Sequence, residues 1–182
     1  MAEIIDDELL VEQFRRGDES AFERVVKRYS AEVAALVNRL LGWPGEVEDV
    51  TQEIFLAAFL GLKKFRCDCS LKSWLFTITI NKCRTYRYKR WLRLRRFSKE
   101  LDKVRLPSVC EDHVMDADQS SRVRRVVSEL PAKYREPVVL WYLQELGIDE
   151  ISRILGISKN TLHVRLSRAR KRLETDLAEL TE

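Results

Sequence analysis

The sequence contains few of the residues that interrupt regular structure. It has 6 Gly and 4 Pro in 182 residues, where average usage would give roughly 12% for the two together. A β-sandwich or barrel needs a turn about every ten residues, which so few glycines and prolines do not supply. The longest apolar runs, 54–60 and 137–143, are far shorter than the ~20 residues of a membrane-spanning helix. These absences exclude a β fold and a membrane-embedded chain, and they favour long helices.

A secretory signal is also missing from the first residues. Residues 1–10 carry four acidic side chains and no Lys or Arg, whereas a signal peptide begins with basic residues. With 45% hydrophobic and 34% charged residues, the composition is typical of a folded chain rather than a disordered one. We therefore expect a cytoplasmic protein.

Histidine and cysteine are too sparse and too scattered to form a recognisable metal site. Cys67 and Cys69 make a lone C-x-C pair, and Cys110 with His113 makes a lone C-x-x-H. Neither has a second pair at the spacing of a zinc site. We expect no bound metal and no cofactor, although the sequence leaves open whether any of the four cysteines, Cys83 included, has a metal or redox role.

The net charge of +4 conceals a strong asymmetry along the chain. Residues 1–60 contain 13 acidic and 6 basic side chains, whereas residues 61–106 contain 15 basic and 3 acidic ones. A basic block is typical of a surface for a polyanion, and an acidic block suits a basic protein partner. Charge alone leaves a solvated helix face as an equal alternative.

Apolar residues recur at steps of three and four along most of the chain, which predicts amphipathic helices. Gly17 and the segment 42–45 break this pattern early on, and further helices are predicted over about 46–62 and 71–96. Ser70 is the expected N-cap of the helix over 71–96.

Periodicity fades after residue 96 and returns at residue 120, so the chain divides into three parts. We predict an all-α fold with two small helical domains, 1–96 and 120–182, joined by a flexible linker over 97–119.

The segment 147–173 has the pattern of a helix-turn-helix. A short helix ends at Gly156, which can adopt the left-handed conformation of a tight turn, and Ser158 can cap the second helix. The outward side chains of that second helix are nearly all donors able to reach base edges and phosphates: Lys159, Asn160, His163, Arg165, Ser167, Arg168, Lys171 and Arg172. A helical hairpin with an ordinary basic face is the alternative interpretation.

In the helix over 71–96, cations alternate with Tyr86, Tyr88 and Trp91. Aromatic rings among cations suit stacking on unpaired bases and neutralisation of phosphates. Core packing is the competing role of such aromatics, and for Trp74 and Phe76 it is the preferred one.

An acidic and amide cluster lies on the predicted helix over 46–62. Asp49, Gln52 and Glu53 are spaced i, i+3 and i+4 and therefore share one helical face. No His or Cys accompanies them at ligand spacing, which argues against a metal-dependent nuclease. Complementing the helix dipole is the competing structural role.

Taken together, these motifs resemble the extracytoplasmic-function sigma factors, the two-domain minimal class of the sigma-70 family. The resemblance rests on DVTQEIF at 49–55, KSWLFTI at 72–78 followed by Asn81, and RLSRARKRL at 165–173. It implies a non-enzymatic initiation factor that binds core RNA polymerase and promoter DNA, responds to a stress or signal and is controlled by an anti-sigma factor. The alternative is a free-standing helix-turn-helix regulator that binds duplex DNA as a dimer.

The resemblance also implies roles for individual residues. Polymerase contacts are expected at Asp49, Gln52, Glu53, Val138 and Val139. Contacts to the minus-ten element are expected at Arg66, Asp68, Ser70, Asn81, Lys82, Arg84, Thr85, Tyr88 and Lys89. Contacts to the minus-thirty-five element are expected at Lys159, Asn160, Thr161, His163, Val164, Arg165, Ser167, Arg168 and Lys171. The family commonly has Gly where this chain has Cys67, and the promoter sequence and inducing signal are left undetermined.

Overall fold

Every regular element in the described part of the chain is helical. The computed structural model describes residues 2–42, 44–101 and 119–179. Its helices are α1 (Ala2–Arg15), α2 (Ser20–Leu41), α3 (Val47–Leu62), α4 (Leu71–Leu101), α5 (Gln119–Glu129), α6 (Ala132–Val138), α7 (Ile148–Leu155) and α8 (Lys159–Glu179). A 3-10 turn at Pro44–Glu46 precedes α3, and a π-helical stretch at Val139–Leu143 continues α6. The predicted all-α fold class is confirmed for these ranges, while Cys110, His113 and most of the predicted linker lie outside them.

Across the same ranges, we find no helix long and apolar enough to cross a lipid bilayer.

Local sequence explains where the helices begin and end. Gly42 closes α2 in the left-handed conformation, with φ of 75°, and its N–H donates to the carbonyl of Asn38 at 2.8 Å. At the start of α4 the Ser70 hydroxyl accepts the N–H of Ser73 at 3.1 Å, which is the predicted cap. Helix α4 continues past the predicted end at Arg96, because no Gly or Pro interrupts it there.

Helices α1 to α4 pack around one apolar core. The rings of Phe14 and Phe22 meet the ring of Phe59 edge-on, with centroids 5.2 and 5.1 Å apart. A buried carboxylate also ties α1 to α2, since Asp7 accepts hydrogen bonds from the Tyr29 hydroxyl at 2.6 Å and from Arg28 at 2.8 Å. Burial raises the pKa of Tyr29, so its hydroxyl remains a donor to Asp7.

Helices α5 to α8 form a second half around Leu140, Ile151 and Leu162. This half packs against the first, because α7 contacts α4 while α5 and the π-helical stretch contact α2. At one such point Gly42 faces Ser128 of α5, and a Cβ on Gly42 would lie 3.2 Å from the Ser128 Cβ. The two halves therefore share a continuous core.

Two positions of α3 that lie two residues apart, one buried and one exposed, provide a test of this packing. Ile54 is fully buried, whereas Leu56 is 62% exposed. We expect Ile54→Ala to lower the free energy of unfolding by about 2–5 kcal/mol, because it leaves a cavity in the core. Leu56→Ala removes side-chain carbons from the surface and should change it by less than about 0.5 kcal/mol. Urea denaturation followed by circular dichroism measures both, and equal losses would contradict the inward direction of Ile54.

Candidate nucleic-acid interface

Helix α4 presents a polar stripe on the side that faces away from the core. Asn81, Arg84, Thr85 and Tyr88 are exposed, and their spacing places them on a single side of the helix. Lys89 is exposed beside them. Amide, guanidinium, hydroxyl and ammonium groups in one row can follow a phosphate backbone. We call this row the α4 stripe.

A pair of stacked aromatic rings extends the α4 stripe. The rings of Tyr88 and Trp91 are nearly parallel, with centroids 6.1 Å apart and planes 23° apart, and the Arg95 guanidinium lies 5.1 Å from the Trp91 ring centroid. Trp91 is 50% exposed, so its ring can stack on an unpaired base. Trp91 is not among the residues that the resemblance predicts to contact the minus-ten element. Its position three residues after Tyr88, on the same side of the helix, could have indicated such a contact. Tyr86 does not join the pair, because it packs against the core on another side of α4.

The preference for core packing at two other aromatic residues is confirmed. Phe76 is fully buried, and Trp74 is half-buried against Phe65, with ring centroids 5.0 Å apart. The exposed aromatic residues of α4, Tyr88 and Trp91, therefore lie towards its C-terminal end.

The loop between α3 and α4 contains a left-handed turn at Cys67, where φ is 57°. An L-residue pays about 1–2 kcal/mol in this conformation, which explains why Gly is common at this position in the family that the sequence resembles. Arg66 and Asp68 are exposed next to the turn. Ser70 is half-buried and engaged as the cap of α4, so its predicted DNA contact competes with a structural bond.

The cysteines of the described ranges are free thiols. Burial raises the pKa of the Cys83 thiol to about 12, and burial together with the nearby Asp68 raises the pKa of Cys69. Both thiols therefore remain protonated at neutral pH. Among the residues that the structure describes, no three His, Cys, Asp or Glu side chains are grouped as metal ligands would be.

Helices α7 and α8 form the helix-turn-helix that the sequence predicts. Gly156 adopts the left-handed conformation, with φ of 65°, and the Ser158 hydroxyl accepts the N–H of Thr161 at 3.2 Å. Leu162 and Ala169 are fully buried. This burial holds one side of α8 against the second half and turns the other side outward.

Most of the residues expected to contact the minus-thirty-five element lie on that outer side. The exposed ones are Lys159, Asn160, Thr161, His163, Val164, Ser167, Arg168 and Lys171. Arg165 is half-buried. Arg170 donates to the Tyr142 hydroxyl at 2.9 Å and so helps to hold α8 in place.

Helix α3 carries the acidic and amide cluster on an exposed face. Asp49, Gln52 and Glu53 are all exposed. The same face continues into Leu56 and Leu60, which are 62% and 70% exposed and follow at helical spacing. Sequence reasoning missed these two leucines, because an apolar residue in an amphipathic helix is expected in the core.

The acidic α3 face and the basic α4 helix meet at two ion pairs. Lys82 of α4 lies 3.4 Å from Glu53, and Arg90 lies 3.2 Å from Glu46, which immediately precedes α3. Lys82, an expected DNA contact, is half-buried at this border and is engaged with Glu53.

Val138 and Val139, which the resemblance predicts as polymerase contacts, are covered in the free chain. They are only 3% and 0% exposed, because α6 packs against α8 and the π-helical stretch packs against α2. The exposed apolar residues of this part of the chain are Tyr142 and Leu143.

One residue of the α4 stripe is bound to the second half of the chain. Arg84 Nε donates to Glu136 Oε1 at 2.9 Å, and Arg84 Nη2 donates to Glu136 Oε2 at 2.6 Å. Arg87, also on α4, is half-buried, and this burial lowers its pKa. The second half therefore covers part of the basic surface of α4.

Family models match both halves of the chain. The model for sigma-70 region 2 matches residues 25–93, and the model for sigma-70 region 4 matches residues 120–173. The first therefore includes the α3 face and the α4 stripe, and the second includes the helix-turn-helix.

Solved structures of similar fold span almost the whole chain. The structure of CnrH, in complex with the cytosolic domain of CnrY, has a TM-score of 0.71 at 28% identity and covers 96% of this chain and 98% of CnrH. The sigma factor RpoE, in complex with the anti-sigma factor NepR from Bartonella quintana, shares the fold with a TM-score of 0.66 at 24% identity, covering 86% of this chain and 96% of RpoE.

Two curated relatives extend over nearly the full length as well. The ECF RNA polymerase sigma factor SigW of Bacillus subtilis is 31% identical, over 93% of this chain and 96% of SigW. The ECF RNA polymerase sigma-E factor of Escherichia coli K12 is 30% identical, over 99% of this chain and 98% of sigma-E. With both sigma regions in order and relatives matched from end to end, the chain belongs to the extracytoplasmic-function sigma factors of the sigma-70 family.

Proposed function

We propose that this chain binds core RNA polymerase, directs it to promoters through a minus-ten and a minus-thirty-five element, and takes part in DNA opening and transcription initiation. The observation that carries the proposal is the end-to-end similarity to ECF sigma factors. Exposed donors on both α4 and α8 support it. The chain acts in the cytoplasm and has no enzymatic activity of its own, since polymerase supplies the catalysis.

Helix α8 is proposed to read the minus-thirty-five element as duplex DNA. An α-helix fits the major groove, where each base pair presents a distinct pattern of donors and acceptors. His163, Val164, Ser167 and Arg168 are exposed in the N-terminal half of α8 and are the proposed base contacts. Val164 is apolar and suits the methyl group of a thymine.

Helix α4 is proposed to bind the minus-ten element once its strands separate. Asn81, Arg84 and Thr85 supply donors for the backbone, while Tyr88 and Trp91 supply rings for stacking on unpaired bases. Binding energy of this kind stabilises the opened strand without any chemical step.

The acidic α3 face is proposed to dock on the coiled coil of the clamp in the largest polymerase subunit. Asp49, Gln52 and Glu53 supply charge and amide groups, and Leu56 and Leu60 supply apolar contacts beside them. A basic partner surface fits the excess of acidic residues in this part of the chain.

Control by an anti-sigma factor completes the proposal. The related CnrH was solved with the cytosolic domain of CnrY, and we infer that this chain has a comparable protein partner. Release from that partner is the step through which a stress or another signal would activate transcription.

Run-off transcription tests the function itself. Purified chain and core polymerase are incubated with promoter fragments, among them the DNA upstream of its own gene. We expect a discrete transcript that requires both proteins, together with co-elution of the chain with core polymerase in gel filtration. Tight duplex binding by a dimer of the chain, with no transcript and no co-elution, would instead indicate a free-standing regulator.

The α3 face gives a second prediction. Asp49→Ala combined with Glu53→Ala should weaken binding to core polymerase by roughly tenfold to a hundredfold, because two charges of the docking surface are lost. Glu129→Ala combined with Glu174→Ala is the matched control, since it removes the same number of charges at exposed acids of α5 and α8. Fluorescence anisotropy of labelled chain measures the affinities, and equal affinities for the two double variants would refute the assignment.

Base reading and phosphate binding can be separated by a third comparison. Arg168→Ala should reduce the preference for the cognate minus-thirty-five sequence by about 1–3 kcal/mol if Arg168 reads a base. Lys89→Ala should weaken holoenzyme binding to all promoters alike and reduce its dependence on salt. Affinities for matched and mismatched promoters decide between the two patterns, and an equal loss on both after Arg168→Ala would show that Arg168 does not read a base.

A further inference from the structure

Three basic side chains surround one aromatic residue, Tyr134 of α6. The Lys133 ammonium lies 5.0 Å from the centroid of the Tyr134 ring, and the guanidinium carbon of Arg172 lies 5.1 Å from it. Both distances are within the range of a cation–π contact. The Arg168 guanidinium lies beside the hydroxyl of the same tyrosine. We call these three cations and Tyr134 the Tyr134 cluster.

The ionisation of Tyr134 reflects the charge around it. Tyr134 is only 6% exposed, and burial of a phenol acts to raise its pKa, as it does for Tyr29. The pKa of Tyr134 is nevertheless lowered, because Arg168 and Lys133 favour its charged form and outweigh the effect of burial. The ring is therefore a fixed support in a strongly positive environment.

No carboxylate of the described ranges pairs with the cations of the Tyr134 cluster. The ion pairs that residues 119–179 form involve other basic groups, those of Arg84, Arg125 and Lys159. Positive charges held close together without an acid repel each other, and a bound anion removes this repulsion. All three cations are exposed, so an anion can reach them from solvent.

The position of the Tyr134 cluster indicates which anion fits it. Arg168 and Arg172 lie one turn apart on α8, the helix proposed to enter the major groove, and Arg168 is a proposed base contact. Lys133 extends the same basic surface onto the neighbouring helix α6. In a helix-turn-helix complex, the elements beside the recognition helix meet the phosphate backbone that borders the groove. A backbone phosphate of duplex DNA therefore fits the cluster.

We propose that Lys133 and Arg172 bind a backbone phosphate of the minus-thirty-five element, and that Tyr134 is a positioning residue that holds both cations at its ring and Arg168 at its hydroxyl. The proposal rests on the proposed function of α8. It adds a phosphate site to that helix, because none of these three residues is among the contacts that the resemblance predicts. Phosphate contacts fix the register of a protein on DNA, and base contacts specify the sequence. The cluster links the two through one tyrosine.

Replacement of single phosphates tests the site. Holoenzyme is assembled from core polymerase and the full chain, and its promoter fragment is one that the chain transcribes. Neutral methylphosphonates replace the phosphates of the minus-thirty-five element one at a time. We expect at least one position at which the replacement weakens binding by the original chain roughly threefold to tenfold, since a charged contact is lost. At that position the replacement should have no additional effect on Lys133→Ala or Arg172→Ala.

Lys27→Ala is the matched control for charge, because Lys27 is an exposed lysine of α2. It should leave the effect of the methylphosphonate at full size. If the losses caused by the methylphosphonate and by Lys133→Ala were additive at every position, the phosphate site would be refuted.

Tyr134→Phe tests the positioning role, since it removes the hydroxyl and keeps the ring. We expect the ratio of affinities for matched and mismatched minus-thirty-five sequences to fall roughly threefold to tenfold, because Arg168 is no longer held at a base edge. The salt dependence of binding should not change, because the ring still holds Lys133 and Arg172. Tyr142→Phe is the matched control, as it removes another hydroxyl that contacts α8, the one that accepts from Arg170 at 2.9 Å. Its ratio should equal that of the original chain.

An unchanged ratio in Tyr134→Phe would overturn the positioning role, and so would an equal fall in Tyr142→Phe, which would indicate a general loosening of α8. If circular dichroism shows that Tyr134→Phe does not fold, the exposed Lys133 still decides through its methylphosphonate comparison. A lower melting temperature of the cluster variants with unchanged DNA affinities would assign the cluster to packing alone and refute the proposal. Absence of a transcript with the original chain would instead refute the proposed function, so the two failures are distinguishable.

Discussion

The burial of one side of helix α4 is the constraint on which the fold and the proposed function both depend. Leu75 and Phe76 are fully buried, and α4 contacts α2, α3 and α7. The helix is 31 residues long, so the packing of its first turns also fixes the direction of the later ones. The α4 stripe and the stacked rings of Tyr88 and Trp91 face outward for this reason. An apolar contact thus positions the groups that are proposed to bind DNA.

The acidic residues that pair with basic residues of α4 differ in how deeply they are buried. Glu53 lies on α3 and Glu46 just before it, and their ion pairs with α4 are partly exposed, so each contributes only about 0–1 kcal/mol. Glu136 differs because its carboxylate is buried, so loss of its partner would leave an unpaired charge out of water. The border pairs join neighbouring helices of one half, whereas the pair of Arg84 with Glu136 depends on how the two halves are arranged. The two kinds of pair therefore differ in what their loss would cost the fold.

Local signals in the sequence predicted the helices and the turn of the helix-turn-helix. Ser70, Gly156 and Ser158 act within a few residues of their own positions, so their roles can be inferred from nearby sequence alone. Long-range packing could not be inferred in this way. Val138 and Val139 are apolar residues whose covering helices come from other parts of the chain, and periodicity does not say which neighbour covers an apolar side. The pairing of Glu136 with Arg84 was hidden for the same reason, since the two residues are 52 positions apart.

The central claim is that helix α4 holds Tyr88 and Trp91 outward, so that their rings can stack on unpaired bases of the minus-ten element. A fluorescent base analogue placed in that element reports strand opening when promoter DNA is mixed with core polymerase and the chain. Trp91 is 50% exposed, so Trp91→Ala removes a stacking surface and leaves the core intact. The account predicts a clearly smaller rise in fluorescence with Trp91→Ala than with the original chain at equal promoter occupancy, and an equal rise would contradict it.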